Sequence, residues 1–248
     1  MTIETEGDLQ ALKGIGGIVA RVLKEMIART EPGMTTAELD DIGRVLLEKF
    51  EANSAPRLTY GFPGYTCISI NEEAAHGVPG PRVIKAGDMV NIDVSAEKNG
   101  YFADTGGSFV VPPGSPLKAR LLHSTRLALR EACGRARAGQ PLNGIGKAIQ
   151  TVAKKSGLKI VKNLCSHGVG RQLHEEPAEI TGYYEPRDRR QLHNGLVITI
   201  EPFLSSKSTC AVEADDGWTL VTGRGNLTAQ FEHTMVITKG QPILLTVA

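Results

Sequence analysis

The sequence predicts a mixed α/β (α+β) fold in which helices cover one face of a single sheet. Two amphipathic helices precede a run of strands, a Pro-Gly break follows near residue 113, and two more helices then precede a second run of strands. The first run contains Asn99-Gly100 between alternating apolar residues, which is typical of a tight β-hairpin. The repeated order predicts two similarly built halves, about 8–111 and 115–240, within one domain spanning 1–248.

Helical spacing of apolar residues predicts a first helix over 8–30, which Pro32-Gly33 ends. Thr35 and Glu38 form a capping-box pattern that predicts the start of a second helix. Ser115 stands where the N-cap of a third helix is expected. The helices of the second half are predicted over 117–137 and 145–156.

Between the second helix and the hairpin, Pro56, Gly61 and Pro63 predict a loop over 51–64. A buried strand is predicted over 66–71. In the second half, short apolar runs separated by turns predict five strands, over 158–161, 196–200, 218–221, 231–237 and 243–247.

Composition excludes several classes of protein. With a formal charge of +1 over 248 residues, the chain has no electrostatic signature for nucleic acid or an anionic membrane. Its four cysteines are scattered, which disfavours a disulfide framework or a zinc ribbon. No apolar run approaches the ~20 residues that span a bilayer, and the first ten residues are acidic rather than signal-like. We therefore expect a cytoplasmic enzyme.

Each strand of the predicted hairpin carries one aspartate. Pairing about Asn99-Gly100 places Asp104 opposite Ser95 and Asp93 opposite Gly106, so both carboxylates lie on one face. As diagonal neighbours they would stand roughly 7–8 Å apart at Cα. Two such carboxylates repel unless a cation lies between them, which favours a metal site. The alternative is that one caps a turn and the other is solvated.

Further candidate ligands occur in the second half. His167 and His174 flank a Gly-x-Gly turn, although a lone histidine is more often a core or surface residue. Glu201 ends an apolar strand, where an unpaired carboxylate is costly, and Glu232 has a similar setting. A salt bridge to an arginine is the alternative for each glutamate.

Together these residues predict a metal centre. Four carboxylates and one imidazole suit two bridged divalent first-row ions better than a cysteine-rich structural zinc. A two-metal hydrolase holds its ions ~3.5–4 Å apart and binds a shared water. The proposed ligands are Asp93, Asp104, His167, Glu201 and Glu232.

The segments NIDVSAEKNGYFADTGGSF, SHGVGRQLHEEP, TIEP and AQFEHT resemble those of the type I methionine aminopeptidases, and the resemblance covers nearly the whole chain. It implies the pita-bread fold, with a pseudo-two-fold central antiparallel sheet covered by helices on one face, forming a single catalytic domain. By motif position the five residues match the family's metal ligands, with Asp104 and Glu232 bridging. His76 and His174 match its two active-site histidines that are not ligands.

The resemblance also implies a mechanism. A water bridging the metals attacks the first peptide carbonyl, with Glu201 as general base. His174 stabilises the oxyanion, and His76 helps to position the substrate. The catalytic residues are therefore expected to be His76, His174 and Glu201, and the free α-amine of the substrate would bind the second metal.

The substrate pocket is expected to include Phe62, Cys67 and Trp218, together with His76 and His174. An aromatic and sulfur lining suits a thioether side chain. Cys67 could equally be a plain buried strand residue. Two positions depart from the family pattern, since Leu173 stands where many members have Phe and Thr59 where an aromatic residue is common.

The expected function is excision of the initiator methionine when the second residue is small. Expected cofactors are two divalent ions, of Co, Mn, Fe(II) or Zn. Expected partners are N-terminal Met peptides and nascent chains, the latter at the ribosome, with a monomeric enzyme and no nucleic acid or membrane. One alternative is a proline-type aminopeptidase of the same fold. It is disfavoured because those enzymes usually carry a large additional N-terminal domain, whereas some seven residues precede the first helix here. The other alternative is a non-catalytic peptide-binding relative, which is disfavoured because all five ligand residues are present.

Overall fold

The computed structural model describes residues 1–248 and contains five α-helices. None of the five is both long and apolar enough to cross a membrane. The helices are α1 Glu6–Arg29, α2 Thr36–Lys49, α3 Ala55–Tyr60, α4 Pro116–Cys133 and α5 Asn143–Lys155.

Fifteen strands, mostly short and all paired antiparallel, complete the fold. In the first half they are β1 Asn53–Ser54, β2 Cys67–Ile70, β3 Glu73–Ala75, β4 Met89–Lys98 and β5 Tyr101–Val110. In the second half they are β6 Lys159–Ile160, β7 Cys165–Gly168, β8 Glu175–Thr181, β9 Val197–Ile200, β10 Phe203–Ser205, β11 Val212–Glu213, β12 Leu220–Val221, β13 Thr228–Gln230, β14 His233–Val236 and β15 Ile243–Leu244.

The hairpin β4–β5 has the predicted register. Asp93 pairs with Gly106 and Ser95 with Asp104, while Asn99 and Gly100 both have positive φ. The opposite face of β4 is fully buried against α1 and α2. The hairpin therefore presents apolar side chains to the core and its two aspartates to the other side of the sheet.

Three of the five helices, α1, α2 and α4, begin where a capping side chain stands. Thr35 caps α2 in a box with Glu38, and Ser115 caps α4, as predicted. The first helix starts at Glu6 because Thr5 and Asp8 form another capping box. The third predicted helix ends at Cys133 rather than residue 137, since the chain turns at Gly134.

The core divides into two main clusters that follow the two halves. One cluster lies within residues 15–111, under α1 and α2. The other joins α4 and α5 to strands of the second half and includes Met89 of β4. Helices thus cover the strands of each half.

The antiparallel mixed fold is confirmed, but its strands do not form one continuous ladder as predicted. Hydrogen bonding divides them into four sheets, with β4–β5 in one and β14–β9–β7 in another. These two sheets meet at the isolated bridge between Gly107 and Phe231, and Glu232 N donates to Gly106 O at 2.9 Å. This contact between the two sheets is short because regular strand structure is interrupted at Phe231 and Glu232, between β13 and β14. The strand predicted over 231–237 is present as β14, but it begins at His233 and ends at Val236.

The loop predicted over 51–64 is also wrong in its middle. Residues 55–60 form α3, which begins at Ala55-Pro56, and proline is favoured in the first turn of a helix. Gly61, at φ 72°, ends the helix. This short helix brings Tyr60 to the edge of the site described next.

Candidate active site

Four carboxylates and three histidines of the sequence analysis lie in or beside one pocket between the two main sheets. Its lining includes His76, Asp93, Asp104, His167, His174 and Glu201. A larger groove between α4 and α5 has a single carboxylate, Glu131, and no histidine in its lining. The chemistry predicted from the sequence is thus concentrated in the smaller pocket.

The five residues proposed as ligands form two groups that share one member. Ligand atoms of Asp104, His167 and Glu232 lie within 4.8 Å of one another, and so do those of Asp93, Glu201 and Glu232. Glu232 belongs to both groups. Such an arrangement is compatible with carboxylates that each contact more than one cation.

Backbone contacts to two side-chain hydroxyl groups place these side chains. Asp104 N donates to Thr234 Oγ1 at 2.9 Å, and that hydroxyl donates to Asp104 O at 2.7 Å, which fixes β5 against β14. Glu201 N donates to Ser166 Oγ at 2.8 Å, at the end of β9. The Thr234 contact joins the two halves, the Ser166 contact joins β7 to the end of β9, and neither uses the carboxylates themselves.

Glu232 is held beneath the pocket by two side-chain amides in series, those of Gln230 and Asn91. Gln230 Nε2 donates to Glu232 Oε2 at 3.0 Å, while Gln230 Oε1 accepts from Asn91 Nδ2 at 2.9 Å. A Cβ at Gly106 would lie 2.2 Å from Gln230 Oε1, so a glycine is required where the amide passes β5. Sequence reasoning did not identify Gln230, although it lies two residues before Glu232.

His167 is fixed in the tautomer that a metal ligand needs. Its Nδ1 lies 2.9 Å from Gly168 O, and a carbonyl oxygen can only accept a hydrogen bond. Nδ1 therefore carries the proton and leaves the lone pair on Nε2. That nitrogen lies 3.9 Å from Asp104 Oδ2 and 3.7 Å from Glu201 Oε1.

The carboxylates have no protein cation to balance them. None of the four has a lysine or arginine nitrogen within 4.0 Å, and Asp104 Oδ1 and Glu232 Oε1 are buried without a hydrogen-bond partner. Burial and mutual repulsion raise the pKa of Asp93, Glu201 and Glu232 well above the usual range. Burial also raises the pKa of Asp104, to about 6. Unpartnered oxygens, a free imidazole nitrogen and this excess of negative charge fit divalent cations.

The other two histidines stand at the mouth of the pocket. His174 lies between β7 and β8 with its ring 4.1 Å from that of His167, and its Nδ1 lies 2.7 Å from the Tyr60 hydroxyl. His76 follows β3 at φ 54°, a left-handed backbone conformation that only a small fraction of residues other than glycine adopt. Desolvation lowers the pKa of both, that of His174 to about 4, so both rings are neutral at pH 7.

The segment between β7 and β8, residues 169–174, is anchored to α1 and to the hairpin. Arg171 Nη2 donates to Asp8 Oδ1 at 2.8 Å, and the Tyr101 hydroxyl donates to the same oxygen at 2.8 Å. The Arg171 guanidinium also stacks 3.8 Å from the Tyr101 ring. The Tyr101 hydrogen bond, followed by those of Thr5, lowers the pKa of Asp8. The segment that carries His174 is thus attached to the start of α1.

An apolar wall completes the pocket. Phe62 and Trp218 meet edge to face with centroids 5.2 Å apart, and Cys67 lies on the same lining. Leu173, 3% exposed, also contributes, whereas Thr59 does not. Tyr60, Pro56 and Ser95 line the pocket although sequence reasoning missed them. The aromatic residue absent at position 59 is supplied by the next residue of α3.

Comparison with known proteins identifies the family. The model of metallopeptidase family M24 matches residues 10–239. The chain belongs to metallopeptidase family M24. The resemblance inferred from the sequence motifs is therefore confirmed at the level of the family. As an M24 metallopeptidase it is a hydrolase that uses a divalent metal, and the two ligand groups above are the candidate metal-binding residues.

Named relatives of this M24 metallopeptidase are methionine aminopeptidases. Methionine aminopeptidase 2 of Bacillus subtilis is 46% identical over 247 residues, which cover 99% of each chain. A methionine aminopeptidase of Staphylococcus epidermidis is 47% identical over 247 residues, covering 99% of this chain and 98% of the relative. The crystal structure of methionine aminopeptidase from Thermotoga maritima aligns over 100% of both chains with a TM-score of 0.95 and 32% identity.

The raised carboxyl pKa values predict how the stability of this M24 metallopeptidase depends on pH without metal. A carboxyl group whose pKa is raised by folding contributes stability below its unfolded pKa, and this contribution is lost as pH rises through the folded pKa. The lowered histidine pKa values act oppositely, but only between the unfolded value near 6.5 and the folded values, about 3 for His167 and about 4 for His174. Above about pH 7 the carboxyl groups therefore determine how the free energy of unfolding changes with pH.

We expect chelated protein to have a smaller free energy of unfolding at about pH 8.5 than at about pH 7, measured by urea denaturation. The double variant Asp93→Asn, Glu232→Gln should lose much of this pH dependence, because two of the four buried charges are removed. A chelated wild type as stable at the higher pH, or a double variant with the same pH dependence, would contradict the assignment.

Proposed function

We propose that this chain is a methionine aminopeptidase, which removes the N-terminal methionine of proteins and peptides whose second residue is small. The observation that carries the proposal is the convergence of the five candidate metal-ligand side chains in and beside a pocket with an aromatic wall. Full-length relatives of this name, at 46% and 47% identity, support it.

The metal centre we propose holds two divalent ions, of Co, Mn, Fe(II) or Zn. Asp104 and Glu232 would bridge them, in keeping with the place of Glu232 in both ligand groups. The remaining ligands would be Asp93, His167 and Glu201. When bound, such ions supply a water whose pKa is lowered toward neutrality.

Three protein groups around that water would transfer the proton, stabilise the oxyanion and position the substrate. Glu201, at the edge of the ligand set, would take a proton from the attacking water and pass it to the leaving amine. His174 would donate a hydrogen bond to the carbonyl oxygen as negative charge develops there. His76, at the pocket mouth, would hold the scissile amide. The lowered pKa values of the two histidines support neutral hydrogen-bonding roles rather than fixed positive charges.

The methionine side chain would enter between Phe62, Cys67 and Trp218. The edge-to-face pair provides an apolar, polarizable wall, which favours a flexible thioether. Leu173 and Tyr60 would complete the lining. Burial raises the pKa of the Cys67 thiol, so this sulfur contributes as a neutral, soft group.

The setting we propose is cytoplasmic. The substrates would be N-terminal Met peptides and nascent chains, the latter met at the ribosome, with neither nucleic acid nor membrane as a partner. The chain would act as a monomer and as a single catalytic domain over 1–248, with its site between the halves.

A peptide panel tests the function. Purified protein with Mn²⁺, Co²⁺, Fe²⁺ or Zn²⁺ should cleave Met-Ala-Ser, and replacing methionine by leucine or alanine should lower kcat/KM at least about 10-fold, since a changed apolar fit is worth 10–200-fold. N-acetyl-Met-Ala-Ser is the matched control for the free amine and should not be cleaved. Peptides with proline second distinguish the proline-type alternative.

Preference for proline in the second position over alanine would favour the proline-type alternative and contradict the proposal. Binding of Met-Ala-Ser without turnover under all four metals would favour a non-catalytic peptide-binding protein.

A further inference from the structure

We propose that the Tyr60 hydroxyl is a positioning group that holds the His174 ring with its Nε2–H toward the pocket. The inference rests on the proposed function, because it explains how His174 could donate to a substrate carbonyl. It concerns a residue that the sequence motifs do not include. The hydroxyl lies 2.7 Å from His174 Nδ1, and the two ring centroids are 5.6 Å apart.

The direction of this hydrogen bond decides where the imidazole proton lies. A phenol donates its single proton readily, and partial burial raises the pKa of Tyr60, which keeps the hydroxyl protonated. When Tyr60 donates, Nδ1 is the acceptor, so the neutral ring carries its proton on Nε2. Nε2 has no hydrogen-bond partner in the protein and is free to donate to a substrate.

The neighbouring histidine has a different partner, so under this proposal the two rings adopt opposite tautomers. His167 Nδ1 must donate to Gly168 O, which leaves its Nε2 as a lone pair. His174 has no backbone partner of this kind and lies exposed at the pocket mouth, only 4.1 Å from the His167 ring. The two adjacent imidazoles thus present an acceptor and a donor, and Tyr60 accounts for the donor.

Local structure fixes the position of Tyr60. It is the last residue of α3, and the left-handed Gly61 turns the chain back immediately after it. Arg57 Nη1 donates to Pro63 O at 2.7 Å, and Ser54 Oγ donates to Tyr65 O at 2.7 Å. These bonds tie the start of the helix to the segment that follows it. The Tyr60 side chain therefore extends from a turn that these hydrogen bonds hold in place, rather than from a free loop.

Nitrogen NMR of the chelated protein tests the tautomer directly. With ¹⁵N-labelled histidine, the His174 signals are assigned by their loss in His174→Gln, since the chain has six histidines. Wild type should show a single Nε2–H tautomer with a hydrogen-bonded Nδ1. Tyr60→Phe should lose the Nδ1 hydrogen-bond signature and show a mixture of tautomers or averaged ring orientations.

Kinetics with Met-Ala-Ser provide the second measurement. Tyr60→Phe should lower kcat about five-fold, the loss of one typical hydrogen bond, with KM within about two-fold. Tyr65→Phe is the matched control, because it removes a hydroxyl from the same segment whose ring lies over Arg57 and not at the pocket. It should leave both the NMR signals of His174 and kcat unchanged.

Two results would overturn the inference, namely an Nδ1–H tautomer in wild type, or Tyr60→Phe spectra identical to wild type. Should the wild type cleave no Met peptide, the proposed function would fail, and the NMR result would still decide whether Tyr60 positions His174. The two failures are therefore distinguishable.

Discussion

Glu232→Ala is expected to abolish hydrolysis of Met-Ala-Ser and to reduce the bound metal. Glu232 is the one residue present in both ligand groups, and one of its oxygens is buried without a protein partner. Loss of a residue that only supports a metal ligand costs about 10–100-fold in affinity or activity, so loss of the shared ligand should exceed about 100-fold in kcat/KM. Asp93→Ala should behave similarly, as measured by kinetics and elemental analysis.

The matched control for this prediction is Glu213→Ala, which removes an exposed glutamate of β11 outside the site. Its metal content and kcat/KM should equal those of wild type. Wild-type turnover in Glu232→Ala or Asp93→Ala would refute the metal assignment. A second readout is independent of activity, since removing a buried carboxylate should raise the stability of the chelated protein at about pH 8.5.

His174→Ala should retain its metal and lose turnover. The ring lies at the pocket mouth beside His167 but belongs to neither ligand group. Removing one donor to a developing oxyanion typically costs about 100–1,000-fold in kcat, and we expect a loss in this range with a much smaller change in KM. Steady-state kinetics together with metal analysis separate this outcome from loss of the metal centre.

His123→Ala, at an exposed position of α4, is the control for the histidine prediction and should change neither quantity. An unchanged kcat in His174→Ala would remove the proposed role of that ring. Loss of metal equal to that in Glu232→Ala would instead make His174 part of the metal centre.

The hairpin was the part of the fold that the sequence predicted best. Its register depends on a two-residue turn that only positive-φ residues form, so local chemistry is sufficient to place Asp93 and Asp104 on one face. The cap residues Thr35 and Ser115 were predictable for the same local reason. Glu201, Glu232 and His167 were grouped with the hairpin by their ligand chemistry, and the resemblance supported that grouping, because no local rule brings residues so distant in sequence together.

The features that were missed depend on contacts distant in sequence. Helix α3 has only six residues, too few for a helical period to be visible, and Pro56 within it, with Gly61 and Pro63 after it, indicates a loop. The break at Phe231–Glu232 lies in a stretch without glycine or proline, and only pairing with Gly106 and Gly107 of β5 shows where the strand is interrupted. Tyr60 and Gln230 acquire their partners, His174 and Asn91, from other elements of the fold.

If His174 acts as proposed, the anchoring of its segment by Asp8 couples turnover to the docking of the amino-terminal helix. Arg171 and Tyr101 share one oxygen of that carboxylate, so undocking the first turn of α1 would release both groups at once. The paired aspartates of the hairpin have no direct contact with this triad and would keep their places. Gentle heating or mild denaturant would then abolish activity before the central sheets unfold, giving an inactive protein that still retains most of its secondary structure.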